Sequence, residues 1–254
     1  MPGLVLQPLR LTDPLRWIHR GMRDLARAPG IGLFYGLVFM VMGWALLKVY
    51  EHAPAYTLAL CAGFLLVGPF LCLGLYRVSQ RLERGEQPDF GDSLLAWDTR
   101  TGQLAIFGFV LLVLEMLWGR ATLVVFAVSF EGMPDFKGSL LALLDPDNLG
   151  FIAAWAAVGA VFAGLIFSIS VVAMPMILDR ETDAITAGLT SLRLVLAQPG
   201  VMLLWGALIA GLTLLAMLPG FAGLVVVGPI LGHASWHAYR AAVGSAPTPS
   251  DPPR

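Results

Sequence analysis

The chain has 254 residues, of which 57% are hydrophobic and 13% charged, and its mean hydropathy is +0.77. Ordinary soluble domains carry about 25% charged residues, so a soluble enzyme, a nucleic-acid binder and a disordered scaffold are excluded as readings of the whole chain. The net charge of −1 likewise offers nucleic acid no attraction. Residues 28–47, 53–76, 148–178 and 194–239 contain no Asp, Glu, Lys or Arg. Since about 20 apolar residues carry a helix across a bilayer, the expected class is an all-α, polytopic membrane protein.

After an N-terminal tail (1–13), a single membrane domain is expected over 14–243, with a disordered C-terminal tail at 244–254. In Pro14–Ala28 a helical face carries Leu15, Ile18, Met22 and Leu25, with Arg16, Arg20, Arg23 and Arg27 around the rest. Such a helix lies in the headgroup plane and favours anionic lipid. The first span (31–50) is full length, so it is not read as a cleavable signal. A short turn at His52-Ala53-Pro54 leads to the returning span at 55–76. Gly91–Arg100, with Leu94, Leu95 and Trp97, forms a second amphipathic segment.

The third span is read as 103–119, ending where Trp118 and Arg120 anchor at the interface, with 121–130 lying at the surface or re-entrant. An oblique helix running through to Phe130, burying Glu115 and Arg120, stays open as the alternative. The fourth span covers 149–178. Thr182–Gln198 then carries a stripe of Ile185, Leu189, Leu192 and Val195. The last charge-free run is too long for one crossing and is broken by Pro219-Gly220, a turn signal. It therefore divides into spans at 200–218 and 221–240, six in all.

Thirteen of the sixteen Lys and Arg residues fall on one side of this arrangement, and Lys48 and Lys137 on the other. The positive-inside rule then places both termini in the cytoplasm, as expected of a multi-pass inner-membrane protein.

A repeat is also visible. Pro29-Gly30-Ile31-Gly32-Leu33-Phe34-Tyr35-Gly36 matches Pro199-Gly200-Val201-Met202-Leu203-Leu204-Trp205-Gly206, with a weaker copy from Gly102 to Gly108. The returning spans share Gly63…Gly68-Pro69 and Gly223…Gly228-Pro229, and Pro175 holds the comparable place in the fourth. Three parallel hairpins are expected, each kinked near its proline. The kinks outline either a solute-conducting cavity or a closed centre.

Six residues are candidates for chemistry. Glu115 and Arg120 are ionisable groups within or beside a span, five residues and about 140° apart on a continuous helix. Asp179 and Arg180 close the fourth span. His233 and His237, four apart, share a helical face; interfacial hydrogen bonding is their expected role. No metal or haem is expected at His233 and His237, and no cofactor is expected elsewhere. His19 and His52 fall on opposite sides of the membrane. Cys61 and Cys72 are about 16 Å apart along one helix and cannot bridge. The known proteolytic, nucleotide-binding and C-x-x-C motifs do not occur.

Several motifs together carry a resemblance. They are Trp17…Gly21…Asp24…Pro29…Tyr35-Gly36; Gly68-Pro69-Phe70…Gly74-Leu75-Tyr76…Ser79…Arg81…Glu83…Gly85-Glu86…Pro88; Leu117-Trp118-Gly119-Arg120-Ala121; Pro175-Met176-Ile177-Leu178-Asp179-Arg180; and Gly232-His233-Ala234-Ser235-Trp236-His237-Ala238-Tyr239-Arg240. Over residues 15–243 the chain resembles a family of bacterial integral membrane proteins, domain of unknown function 2189. The resemblance implies a multi-span protein with no catalytic residues to carry over. Some members bear a label as cytochrome c oxidase subunits; a haem–copper catalytic subunit needs more membrane histidines, so that label implies an accessory role. The expected function is non-enzymatic, as an accessory or transporter-like subunit with a membrane protein partner or a second copy of itself. The alternatives are a solute transporter or channel with a cavity at the prolines, an oxidase accessory subunit, and a membrane enzyme with a cytoplasmic site where Asp179, Arg180, His233 and His237 meet.

Overall fold

The computed structural model describes residues 4–53, 57–129, 149–180 and 182–245. The expectations on Pro54, Phe130, Lys137 and residues 246–254 therefore lie outside the described residues. Strand β1 (Leu4–Leu6) precedes α1 (Asp13–Arg27), α2 (Pro29–His52), α3 (Thr57–Glu83) and the short α4 (Phe90–Leu94). A single 3-10 turn leads into α5 (Thr101–Ser129). There follow α6 (Leu149–Ser170), α7 (Ala173–Asp179), α8 (Ala184–Ala197), α9 (Pro199–Met217), α10 (Leu224–Ala242) and strand β2 (Val243–Ser245).

Five stretches are long and apolar enough to cross a membrane: α2, most of α3, α5, α6 continued into α7, and α9. The sixth expected span is α10. It has the 19 residues of α9 but is less apolar, because His233, Ser235, His237 and Arg240 occupy its second half. Most of that half, including His233, Trp236 and Tyr239, is buried in protein, while Arg240 is exposed.

The helix boundaries follow local chemistry. Ala28 and Gln198 precede prolines and so leave the helical region, with φ −132°, ψ 56° and φ −136°, ψ 57°. The next helices start on Pro29 and Pro199, where a missing N–H costs nothing. Asp183 caps α8 by accepting from the Thr186 N–H at 2.8 Å. Pro219-Gly220 reverses the chain between α9 and α10, with positive φ at Gly220 (62°) and Phe221 (67°). The Trp44 indole donates to the Gly220 carbonyl at 2.7 Å and pins this turn to α2.

Several expectations are corrected. Helix α5 runs unbroken to Ser129: no proline interrupts it, so the third span does not end near Trp118. Both Glu115 and Arg120 lie on it. The fourth span is matched by Leu149–Asp179, whose helix is interrupted at Val171-Val172 just ahead of Pro175, where a kink was expected. The C-terminal tail is ordered at its start, where Val243–Ser245 pairs antiparallel with Leu4–Leu6. This ribbon brings both ends of the described chain to one side of the bundle.

The amphipathic helices are turned opposite to a soluble helix. In α1 the predicted stripe faces out, with Leu15 60% and Met22 44% exposed, while Pro14, Trp17, Gly21 and Asp24 are buried. In α8, Ile185 is 70% exposed and Leu189 49%, while Ala184, Ala187, Ser191 and Leu194 are buried. Each helix thus packs one side inward, Trp17 and Leu194 included, and leaves Leu15, Met22, Ile185 and Leu189 exposed.

These buried positions keep register. Gly21, Ser93 and Ser191 are buried at one equivalent position; Gly32, Leu104 and Met202 at a second; and Tyr35, Phe107 and Trp205 at a third. Helices α2, α5 and α9 begin at matching points, Pro29, Thr101 and Pro199. The three aromatic residues contact one another's hairpins in turn. The Tyr35 hydroxyl lies 3.3 Å from Ser93 Oγ, the Phe107 ring touches the Gly188 position of α8, and Trp205 meets Trp17 edge-on with centroids 5.4 Å apart.

At the centre, α3, α7 and α10 touch one another. Leu73, Met176, Ile177 and Ala234 fill the space between them as part of one apolar core. Pro69 and Pro229 lie inside their helices. Pro229 cannot bond back to the Val225 carbonyl, and that carbonyl is packed against Gly36 of α2, where a side chain would collide with it. The lack of a Cβ at Gly36 lets the two helices close on the freed oxygen.

Candidate functional site

Polar side chains gather where α1, α3, α7 and α10 meet. Asp24, buried on α1, accepts from the Ser79 hydroxyl at 2.7 Å and from His237 Nε2 at 2.8 Å, both on the same oxygen. Ser79 Oγ also lies 2.8 Å from His233 Nδ1. With the hydroxyl proton committed to Asp24, this contact requires an N–H at Nδ1. His233 Nε2 is buried without a hydrogen-bond partner. Burial pushes the Asp24 carboxyl up, but the bonds from His237 and Ser79 outweigh it and hold Asp24 below its ordinary 3.8.

A second group lies beside the first. Asp179 accepts from Gln80 Nε2 at 2.8 Å on one oxygen and from the Tyr239 hydroxyl at 2.7 Å on the other. One residue from each of the three central helices is therefore tied at a single carboxylate. Arg180 donates to Tyr239 at 2.8 Å and to the Val243 carbonyl at 3.0 Å, which fastens α7 to the start of β2. Glu83 receives Trp236 Nε1 at 3.1 Å and Arg240 Nε at 3.2 Å. Outside these groups, Arg77 grips Asp92 with two bonds, 3.0 and 3.1 Å, and holds its carboxyl below the usual range.

Asp179 and Arg180 are thus joined to Tyr239, whereas His233 and His237 are joined to Ser79 and Asp24. No direct bond links the two pairs. Ser79 is fully buried, and its hydroxyl is engaged between Asp24 and His233. Among the described residues no group of three His, Cys, Asp or Glu is placed to hold a metal ion. Each histidine has one ring nitrogen committed to protein, His237 Nε2 to Asp24 and His233 Nδ1 to Ser79. Chemically the arrangement is a clamp on helix ends. A cleft of about 190 Å³, lined by Arg20, Arg23, Arg27, Asp24, Ser79, Glu83 and His237, opens beside it.

Asp24, Ser79 and Gln80 were not singled out as candidates from the sequence. Asp24 and Ser79 stood in the motifs that carry the family resemblance; Gln80, beside Ser79, had no such signal.

Glu115 and Arg120 occupy a different place. They line a cavity of about 480 Å³ between α3 and α5, together with Ala62, Gly63, Leu66 and Met116. Glu115 is 6% exposed, and its Oε2 has no hydrogen-bond partner. Arg120 is exposed, and no ion pair joins the two.

Multiple apolar helices of spanning length, with polar side chains gathered at one end, define an integral membrane protein. Comparison agrees: the model of the family described as "Predicted integral membrane protein (DUF2189)" matches residues 57–179, from the start of α3 to the end of α7. The resemblance is thereby shown over those residues. No curated protein and no solved structure matches the chain.

Proposed function

We propose that this is a non-enzymatic accessory subunit of a membrane assembly in the bacterial inner membrane. It has six spans, arranged as three helical hairpins about an axis along the membrane normal, with both termini cytoplasmic. Support for the hairpin reading comes from the shared register of Tyr35, Phe107 and Trp205 and from their cyclic contacts. Support for the orientation comes from the paired chain ends, β1 with β2, and from the excess of Lys and Arg on their side.

The observation that carries the accessory reading is the contrast between the centre and α6. Where a transporter would need a water-reachable cavity beside Pro69, Pro175 and Pro229, α3, α7 and α10 are packed with apolar side chains and tied at Asp179. Helix α6 has no buried residues, and Ala153, Ala156, Ala157, Ala160 and Gly164 form an uncovered face of small side chains. In a bilayer such a face permits close approach of another helix. Arg20, Arg23 and Arg27, around the cleft beside Asp24, meet anionic headgroups at the interface.

A photo-crosslinking residue at position 160, in living cells, tests this reading. A discrete protein adduct is expected there and not from an equivalent residue at the lipid-facing Leu203. Adducts with lipid alone would contradict it.

A further inference from the structure

Helix α5 is 29 residues long, and Glu115 is its midpoint, 14 residues from either end. At about 1.5 Å per residue that is about 21 Å of helix on each side, more than half the thickness of a hydrocarbon core of about 30 Å. With the helix centred in a bilayer this places a carboxyl near its middle, buried, with an oxygen that no protein group satisfies. Such a residue is costly, and it persists in membranes mainly where it meets a substrate or a partner charge. Arg120 follows about 7.5 Å further along the same helix, at the rim of the same cavity. The two side chains leave the helix about 140° apart and do not neutralise each other.

The cavity is shaped for a ligand from the lipid phase. Leu66, Leu112, Met116 and Leu123 make its walls apolar, and about 480 Å³ falls within the usual size of small-molecule sites. Two glycines keep it open: a side chain built on Gly63 of α3 or Gly119 of α5 would meet nothing within 4 Å.

We propose that this cleft binds a long-chain carboxylic acid, with its head between Glu115 and Arg120 and its chain along the walls. The argument is charge complementarity. A ligand carboxylate and Glu115 share one proton, as closely spaced carboxyl pairs do, and the single negative charge left on the pair is balanced by the Arg120 guanidinium. A cationic amphiphile would pair with Glu115 but leave Arg120 uncompensated. A neutral alcohol would leave the guanidinium without an anionic partner.

The test uses the full chain in zwitterionic phospholipid vesicles, with palmitic acid bearing a photoreactive diazirine as the probe. Saturable labelling is expected on α3 and α5, at peptides containing Ala62–Leu66 and Leu112–Leu123, and unlabelled palmitic acid should compete it away. Arg120→Gln should weaken labelling about tenfold, the scale of a lost charge-assisted bond in a low dielectric. Gly119→Leu and Gly63→Leu fill the cleft from opposite walls without touching either charge, and each should abolish saturation. Glu115→Gln keeps a donor toward the ligand and should retain labelling within about twofold, whereas Glu115→Leu should not. Equal saturable labelling by a diazirine alcohol of the same length would overturn the proposal. So would labelling indifferent to both glycine substitutions. None of these outcomes depends on whether α6 has a partner.

Discussion

His237 Nε2 lies 2.8 Å from Asp24 Oδ2, joining residues 213 apart in sequence. The contact docks α1 onto α10 at the end of the bundle, where the close fit of Gly21 against the Ile230 carbonyl lets the helices approach. A helix that composition alone would leave floating on the membrane surface is thereby built into the core.

Removing the Asp24 carboxylate leaves Ser79 and His237 without their acceptor. Asp24→Ala should lower stability by about 2–4 kcal/mol, the scale of a broken buried network. Asp24→Asn keeps the size but offers one acceptor oxygen in place of a charged one, and should lose less. Thermal unfolding in mild detergent, followed by far-ultraviolet circular dichroism, measures both.

The pH dependence follows from Asp24 and Asp92, both held below their ordinary 3.8. A carboxyl depressed on folding stabilises the fold above its unfolded pKa, and that contribution is lost as pH falls through the lower folded value. Melting temperature should therefore be insensitive to these groups from pH 7 to about 5 and fall below about 4. Replacing Asp92 by Asn should reduce the slope in the acid limb and leave the neutral plateau level.

Gly36 and Gly63 make a matched pair of controls. A Cβ at Gly36 would strike the Val225 backbone, which cannot rotate away, whereas one at Gly63 meets open space. Gly36→Ala should cost about 1–3 kcal/mol through overpacking. Gly63→Ala should be neutral or gain up to about 1 kcal/mol from helix propensity. Melts of the two variants side by side measure the difference.

Much of the helical plan was legible because apolar runs and prolines state it directly. Pro29 and Pro199 mark the starts of α2 and α9, and Pro219-Gly220 marks the turn between α9 and α10. What misled was polarity inside the membrane. Glu115 and Arg120 lower the local hydropathy, which suggested an interface at Trp118, yet neither residue breaks a helix and α5 continues to Ser129. In α1 and α8 the stripes of Leu15 and Met22 and of Ile185 and Leu189 were legible and are exposed, but no local pattern told that Asp24 and Ser191 on the other side would be buried. The clamp at Asp24, Ser79, His233 and His237 joins three helices far apart in sequence, and no local pattern announces such a meeting.

Gln198 ties the N-terminal segment down. Its side-chain carbonyl accepts from the Leu9 N–H at 2.6 Å, and its amide donates to the Gln7 carbonyl at 2.8 Å. Gln198→Ala should release this segment without unfolding the bundle, because the bonds lie at its edge. Hydrogen exchange of residues 5–10 should speed up by about tenfold, the effect of about 1.4 kcal/mol of lost local protection. Exchange in α2 and α10 should be unchanged.

The accessory role itself is tested most directly by native mass spectrometry of the protein extracted from its own membrane in mild detergent. The uncovered face of α6 predicts a mass well above the 27.3 kDa of one chain, made up by a second copy or another membrane protein. Substituting Ala160 by Phe should return that mass to one chain. Recovery of the unaltered protein as a lone 27.3 kDa species would contradict the account.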